Sequence, residues 1–172
     1  MGKHGLLYVL TKKFTTGALI GVTISDRLVS FAAVNGISMS PTLLPGAKCF
    51  PQSLTGDVLL VEKLCLEKYR FSQGDVIIFR SPINHKQTCV KRVVALAGEW
   101  ITIPESHDIV KIPEGHCWVE GDYSASSLDS RCYGPIPMGL IQGRATHLIW
   151  PPERMGEIER KVPQRKGRIS SY

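Results

Sequence analysis

Two residues 53 positions apart carry the chemistry that this sequence offers: Ser38, in Gly36-Ile37-Ser38-Met39-Ser40-Pro41-Thr42-Leu43, and Lys91, in Cys89-Val90-Lys91-Arg92-Val93-Val94. A serine hydroxyl is a weak nucleophile until a nearby base takes its proton. A lysine serves as that base only where burial favours its neutral amine. Val90, Val93, Val94, Ala95 and Leu96 supply the apolar neighbours for such a dry setting. Taken singly, a serine in a glycine- and proline-braced turn is most often a turn residue, and a lysine in a β pattern is most often solvated. Together the two predict a serine–lysine hydrolase, with the weight resting on what lies between and after them. His147, in Thr146-His147-Leu148-Ile149-Trp150, alternates like a strand residue and is the alternative base.

Three further segments fall in order. Gly74-Asp75-Val76-Ile77-Ile78-Phe79 is a turn feeding an apolar strand, and Gly98-Glu99 closes the lysine strand. A polar loop dense in hydroxyls follows, Gly121-Asp122-Tyr123-Ser124-Ala125-Ser126-Ser127-Leu128-Asp129-Ser130-Arg131. In these segments the chain resembles the type I signal peptidase family, with its Ser-Met-x-Pro-Thr, Gly-Asp, Lys-Arg and Gly-Asp-Asn-x-x-x-Ser-x-Asp-Ser-Arg boxes. The likeness covers roughly residues 28–150. Trp118-Val119-Glu120-Gly121-Asp122 and Trp150-Pro151-Pro152-Glu153-Arg154-Met155-Gly156 are similar to the family's mitochondrial branch.

The resemblance implies roles residue by residue. Ser38 is the expected nucleophile and Lys91 the expected general base. Ser127 matches the loop hydroxyl that orients the lysine amine. Asp129 and Arg131 match an ion pair that braces the loop by charge-assisted bonds. Gly36 stands where many bacterial members carry a hydroxyl that helps bind the oxyanion, which leaves the Ser38 N–H as the expected donor. Tyr123 stands in place of the family's usual Asn. No metal or cofactor is expected. The branch implies imported precursors with N-terminal sorting signals as substrates, a heterodimer with inner membrane protease subunit 1, and the mitochondrial inner membrane with the catalytic domain facing the intermembrane space. Met39 and the apolar strands are candidate walls for the substrate pocket.

Charge narrows the partners. The chain of 172 residues has room for one full domain with a sizeable core. Its formal charge is +6. Three lysines before residue 14 contribute half of this, and five basic against two acidic residues from 155 onward contribute the rest. The neutral body argues against a nucleic-acid reader, which carries its basic residues on the folded surface. The terminal stretch from Arg160 to Arg168 reads as a solvated or membrane-facing tail. Five cysteines form no CxxC or other metal spacing, and the odd count argues against a full disulfide framework.

No acidic residue precedes Asp26, and lysines and threonines alternate with apolar residues, as in mitochondrial targeting segments. The apolar run Phe14–Ile24 falls short of the ~20 residues that span hydrocarbon. Extending it to Gly5 places Lys12 and Lys13 mid-segment, at roughly 3 kcal/mol each. The expectation is therefore a short membrane-associated segment.

Short β-rich runs at Leu28–Val34, Asp57–Lys63, Asp75–Phe79, Cys89–Leu96, Trp100–Ile103, His116–Glu120 and Arg144–Trp150 are punctuated by Gly, Pro and Asp turns. No helical period persists after residue 27. The fold expected is all-β, a mostly antiparallel sandwich or barrel-like domain. It comprises an N-terminal targeting or anchor segment (1–27), a peptidase domain (28–154) and a basic tail (155–172). Three function classes follow: an active endopeptidase, a non-catalytic subunit of the same fold, and a self-cleaving regulator of the LexA type. The last needs a helix-turn-helix, for which the first 27 residues are too few and too apolar.

Overall fold

The computed structural model describes residues 3–46, 56–103 and 108–162. Cys49, His107 and the basic residues beyond Val162 lie outside them. The chain opens with α1 (Lys3–Arg27). The hydroxyls of Thr15, Thr16 and Thr23 turn back to donate to carbonyls of the preceding turn, which satisfies them without a partner element. Tyr8, Phe14, Leu19 and Val22 stand exposed along it. Among the described residues no helix is long and apolar enough to cross a membrane.

The body is the mostly antiparallel β structure that the strand spacing predicts. Its strands are β1 (Val29–Ala33), β2 (Val58–Glu62), β3 (Val76–Arg80), β4 (Thr88–Ala95), β5 (Trp100–Thr102), β6 (Ile109–Lys111), β7 (His116–Glu120), β8 (Ile136–Pro137), β9 (Ile141–Trp150) and β10 (Gly156–Glu157). A four-residue helix, α2 (Ser130–Tyr133), precedes β8. The main sheet runs β1-β2-β9-β3-β4-β7-β8, with β10 beside the far end of β9, while β5 and β6 form a separate hairpin. Every pairing in it is antiparallel.

Both faces of this sheet are covered, and β3 shows why its sequence is an unbroken apolar run. Val76 and Ile78 enter one core with Val34, Met39, Leu43 and Leu59. Ile77 and Phe79 enter another with Val93, Cys117, Val119 and Ile141. Alternate side chains of a strand point to opposite faces, so a strand buried on both needs no polar alternation. Phe79 and Ile77 are wholly buried, and each contributes roughly 1.5–3 kcal/mol of transfer free energy.

Buried charges tie the loops to this frame. Asp57, 1 % exposed, accepts the Leu44 N–H at 2.7 Å and Arg154 Nη1 at 2.7 and 2.8 Å, while Arg154 Nη2 donates to the Thr42 carbonyl. Arg144 bridges Glu62 and Asp75 across neighbouring strands. Residues 156–158, ahead of the Arg160–Arg168 stretch read as solvated or membrane-facing, are docked on the sheet, while Arg160 and Lys161 are exposed. Gly156 and Glu157 pair with β9, and the Ile158 N–H donates to the Thr146 carbonyl. Ile158 packs against the first core, and Arg160 Nε lies 2.9 Å from Asp75 Oδ1, a charge contact without hydrogen-bond alignment. Arg160 thus has a partner far away in sequence.

Replacing Asp57 tests how far these ties support the fold. Asp57→Ala strands both a half-exposed guanidinium and a main-chain N–H, and is expected to lower stability by about 2–4 kcal/mol. Glu159→Ala, which breaks a surface pair with Lys161, is expected to stay within about 0.5 kcal/mol. Urea denaturation of the two variants measures both; equal midpoints would contradict the assignment.

Candidate active site

The turn that carries Ser38 is built by anchoring its flanks. From the end of β1 the Val34 N–H donates to the Asp57 carbonyl. Residues Ile37–Met39 then form a single 3₁₀ turn closed by the Ser40 N–H to the Ile37 carbonyl. Met39 and Leu43, 1 % and 0 % exposed, pin the turn to the first core. Ser38 itself is half-buried. Gly36 is extended, and a side chain there would meet nothing within 4 Å.

Lys91 sits where β4 changes its surroundings. Thr88–Arg92 pair with β3, and β7 joins the other edge of β4 only from Arg92 onward. The edge beside Lys91 therefore opens onto a cavity of about 500 Å³. Ser38, Lys91, Ala32, Val34, Met39 and Val90 all line it. The structure brings nucleophile and base candidates to one cavity without a direct hydrogen bond between them. Only 4 % of Lys91 is exposed. Burial pushes its amine below the usual lysine value, opposed mainly by the nearby Asp129 carboxylate. The Arg131 guanidinium offsets part of that opposition.

The loop from Gly121 to Arg131 closes the site. Its Tyr123 N–H donates to the Ser38 carbonyl at 3.0 Å. Gly121 passes so close to Ser127 and the Ser38 carbonyl that an added Cβ would overlap both. The position thus admits only glycine, for a steric reason independent of φ. Ser127 Oγ donates to Asp129 Oδ2 at 2.6 Å. With its proton so committed, the hydroxyl has only lone pairs to offer a neighbouring amine.

Asp129 is wholly buried. It accepts from the Gly121 N–H, the Arg131 N–H and the Arg131 side chain, whose Nε and Nη2 make a two-point contact at 2.9 and 2.8 Å. Burial alone would raise its pKa, but these bonds hold the carboxyl below its ordinary value. As the N-cap of α2 it accepts the N–H of Arg131, the second residue of that helix. The expected ion pair is thus a buried brace.

Arg92 and Asp122 lie within the same motifs, and no role for them is evident from the sequence. Arg92 is 2 % exposed and grips Asp122 by Nε and Nη2 at 2.9 and 2.8 Å. Burial acts to raise the Asp122 pKa, but hydrogen bonds from Arg92 and Thr42 hold it down. The adjacency of Arg92 to Lys91 was the available signal: neighbours in a strand face opposite sides, so one can serve the site and the other its support.

His147 is exposed on β9 and is not among the residues lining the cavity. Burial raises the thiol of Cys65 to about 11 and that of Cys117 to about 12, so neither is a ready nucleophile. Tyr133 also lines the cavity, with its hydroxyl buried and unpartnered. Among the described residues no three His, Cys, Asp or Glu side chains gather as a metal site.

The family model described as signal peptidase, peptidase S26, matches residues 8–110 and 102–150. The mitochondrial inner membrane protease subunit 2 of Danio rerio is 39% identical over 157 residues, covering 88% of this chain and 83% of that protein. The mitochondrial inner membrane protease subunit 1 of Homo sapiens is 37% identical over 155 residues, covering 86% and 89%. A crystal structure of a signal peptidase I from Enterococcus faecalis aligns with 45% of this chain and 97% of its own at 22% identity, with a TM-score of 0.38. With the family model spanning most of its length, the chain belongs to the signal peptidases of family S26, among relatives that are mitochondrial inner membrane proteases.

Proposed function

We propose that this peptidase is a membrane-associated serine endopeptidase that uses Ser38 and Lys91 to remove sorting peptides from proteins imported into the mitochondrial intermembrane space. The supporting observation is a buried lysine, lowered in pKa by desolvation, on the same cavity as a half-buried serine. An extended substrate can lie along the open edge of β4, where main-chain hydrogen bonds supply affinity and the cavity receives alternate side chains. Ala32, Val34, Met39 and Val90 form an apolar wall suited to a small residue before the cut.

In the reaction, neutral Lys91 Nζ takes the Ser38 hydroxyl proton as Oγ attacks the scissile carbonyl carbon. The Ser38 N–H stabilises the oxyanion. The lysine ammonium then returns the proton to the leaving amine, and the acyl-enzyme is hydrolysed by water activated the same way. Ser127, its own proton held by Asp129, accepts an N–H from the amine and leaves the amine lone pair directed at Ser38.

Ser38→Ala and Lys91→Met are each expected to remove nearly all precursor cleavage while leaving the protein folded, and the double variant to be no worse, because the pair acts as a unit. Full activity in Ser38→Ala complexes would instead support a non-catalytic subunit of the same fold.

The pH dependence follows from the direction of the Lys91 shift. The base must be neutral, so activity is expected to rise with pH through one apparent pKa below the 10.5 of an unperturbed lysine, and to be lost as pH falls through it. A flat profile across that range would remove Lys91 as the base.

The same reading places the body in the intermembrane space in a heterodimer with inner membrane protease subunit 1. Protease is then expected to reach the body once the outer membrane is opened, and the two subunits to co-purify from solubilised membranes. Protection until the inner membrane is also broken would reverse the topology.

A further inference from the structure

We propose that Gly156–Lys161 is a positioning strap for the catalytic machinery, acting through Arg92; the proposal rests on the serine–lysine reading of the site. The strap is fastened at four points. Gly156 and Glu157 pair with β9. Ile158 donates its N–H to the Thr146 carbonyl and packs its side chain into the first core. The Glu159 carbonyl accepts Arg92 Nη1 at 2.9 Å. The Lys161 backbone lies flat over Gly74, 3.3 Å from where a Cβ would stand; Gly74 also has φ +88°, so a side chain there is doubly disfavoured.

The contact with Arg92 links the strap to both candidate catalytic residues. Arg92 is nearly inaccessible and directs Nε and Nη2 at Asp122, leaving Nη1 for the carbonyls of Gly74 and Glu159. Asp122 lies between Gly121, packed on the Ser38 carbonyl, and Tyr123, whose N–H donates to it. Arg92 itself follows Lys91 along β4. A second cavity, of about 340 Å³, is lined by Arg92, Asp122, Thr42 and Lys161, so lifting the strap opens this pair to water. A hydrated Arg92 holds Asp122 less firmly, and the loop that seats Ser38 and Ser127 loosens. The strap is thus a positioning element. It touches no substrate.

The experiment uses full-length protein in its membrane complex and compares Ile158→Asp with wild type. Lifting the strap is expected to lower kcat by roughly 10- to 100-fold with KM within about threefold, since small displacements of reacting groups cost rate more than affinity. The pH profile should move to higher pH, because water admitted to the loosened loop favours the protonated amine. Glu157→Ala, in the same segment with an exposed side chain, is expected to keep the wild-type kcat. If Ile158→Asp does not fold, Ile158→Ala is measured well below its melting temperature, where the same kcat loss and profile shift are required. A folded Ile158 variant with unchanged kcat and pH profile overturns the strap. Ser38→Ala is run in parallel: if it remains active, the serine–lysine reading has failed, whereas an inactive Ser38→Ala beside a normal Ile158→Asp rejects the strap alone.

Discussion

The carboxylate of Asp129 lies wholly out of water and accepts from Gly121, Ser127 and both the main chain and side chain of Arg131. Desolvating such a group costs several kcal/mol, and only a full set of donors and an opposite charge offsets that. The set comes from three parts of one loop, so satisfying the carboxylate gives the loop a single shape. That shape presses Gly121 against the Ser38 carbonyl and holds Ser127 beside it. The same ion pair limits its own effect on Lys91. Asp129 favours the charged amine and Arg131 disfavours it, so burial remains the dominant influence and the amine stays below its ordinary value.

Lys91 and Arg92 show how one strand serves two purposes. Both have basic side chains and both are buried. Among the described residues Lys91 has no ion-pair partner, and it lines a cavity, whereas Arg92 has a carboxylate and two carbonyls around it. Burial lowers the pKa of a lysine, whereas an arginine stays protonated in proteins. The pairing of β4 on both sides begins at the boundary between them. The open side can admit a substrate, and the paired side is supported by ion pairs and the C-terminal segment.

Most strands were legible because each is an apolar run bounded by Gly, Pro or Asp. β6, β8 and β10 have two or three residues, too few to show a period; β8 and β10 exist because the longer β7 and β9 supply their partners, and β6 pairs with the equally short β5. α2 is one turn whose cap, Asp129, is recruited by the site. Ser38, Lys91, Ser127, Asp129 and Arg131 were legible through their spacing within a known set of motifs. His147, the base that would be needed if the lysine reading failed, is exposed on β9 and is not among the residues lining the cavity.

What the sequence determined by itself is the local chemistry: a serine in a stiff turn, a lysine in an apolar strand, a hydroxyl-rich loop and the strands between them. The tertiary structure alone decided which charges are buried and what satisfies them. Asp57 meets Arg154 across 97 positions, and Arg92 meets the Glu159 carbonyl across 67. The second acceptor is a main-chain oxygen, which every residue carries and no side-chain pattern marks. The segment 156–161 therefore shows no sign of a partner in the sequence. Its docking becomes visible only once β9 provides an edge and the buried Arg92 a donor.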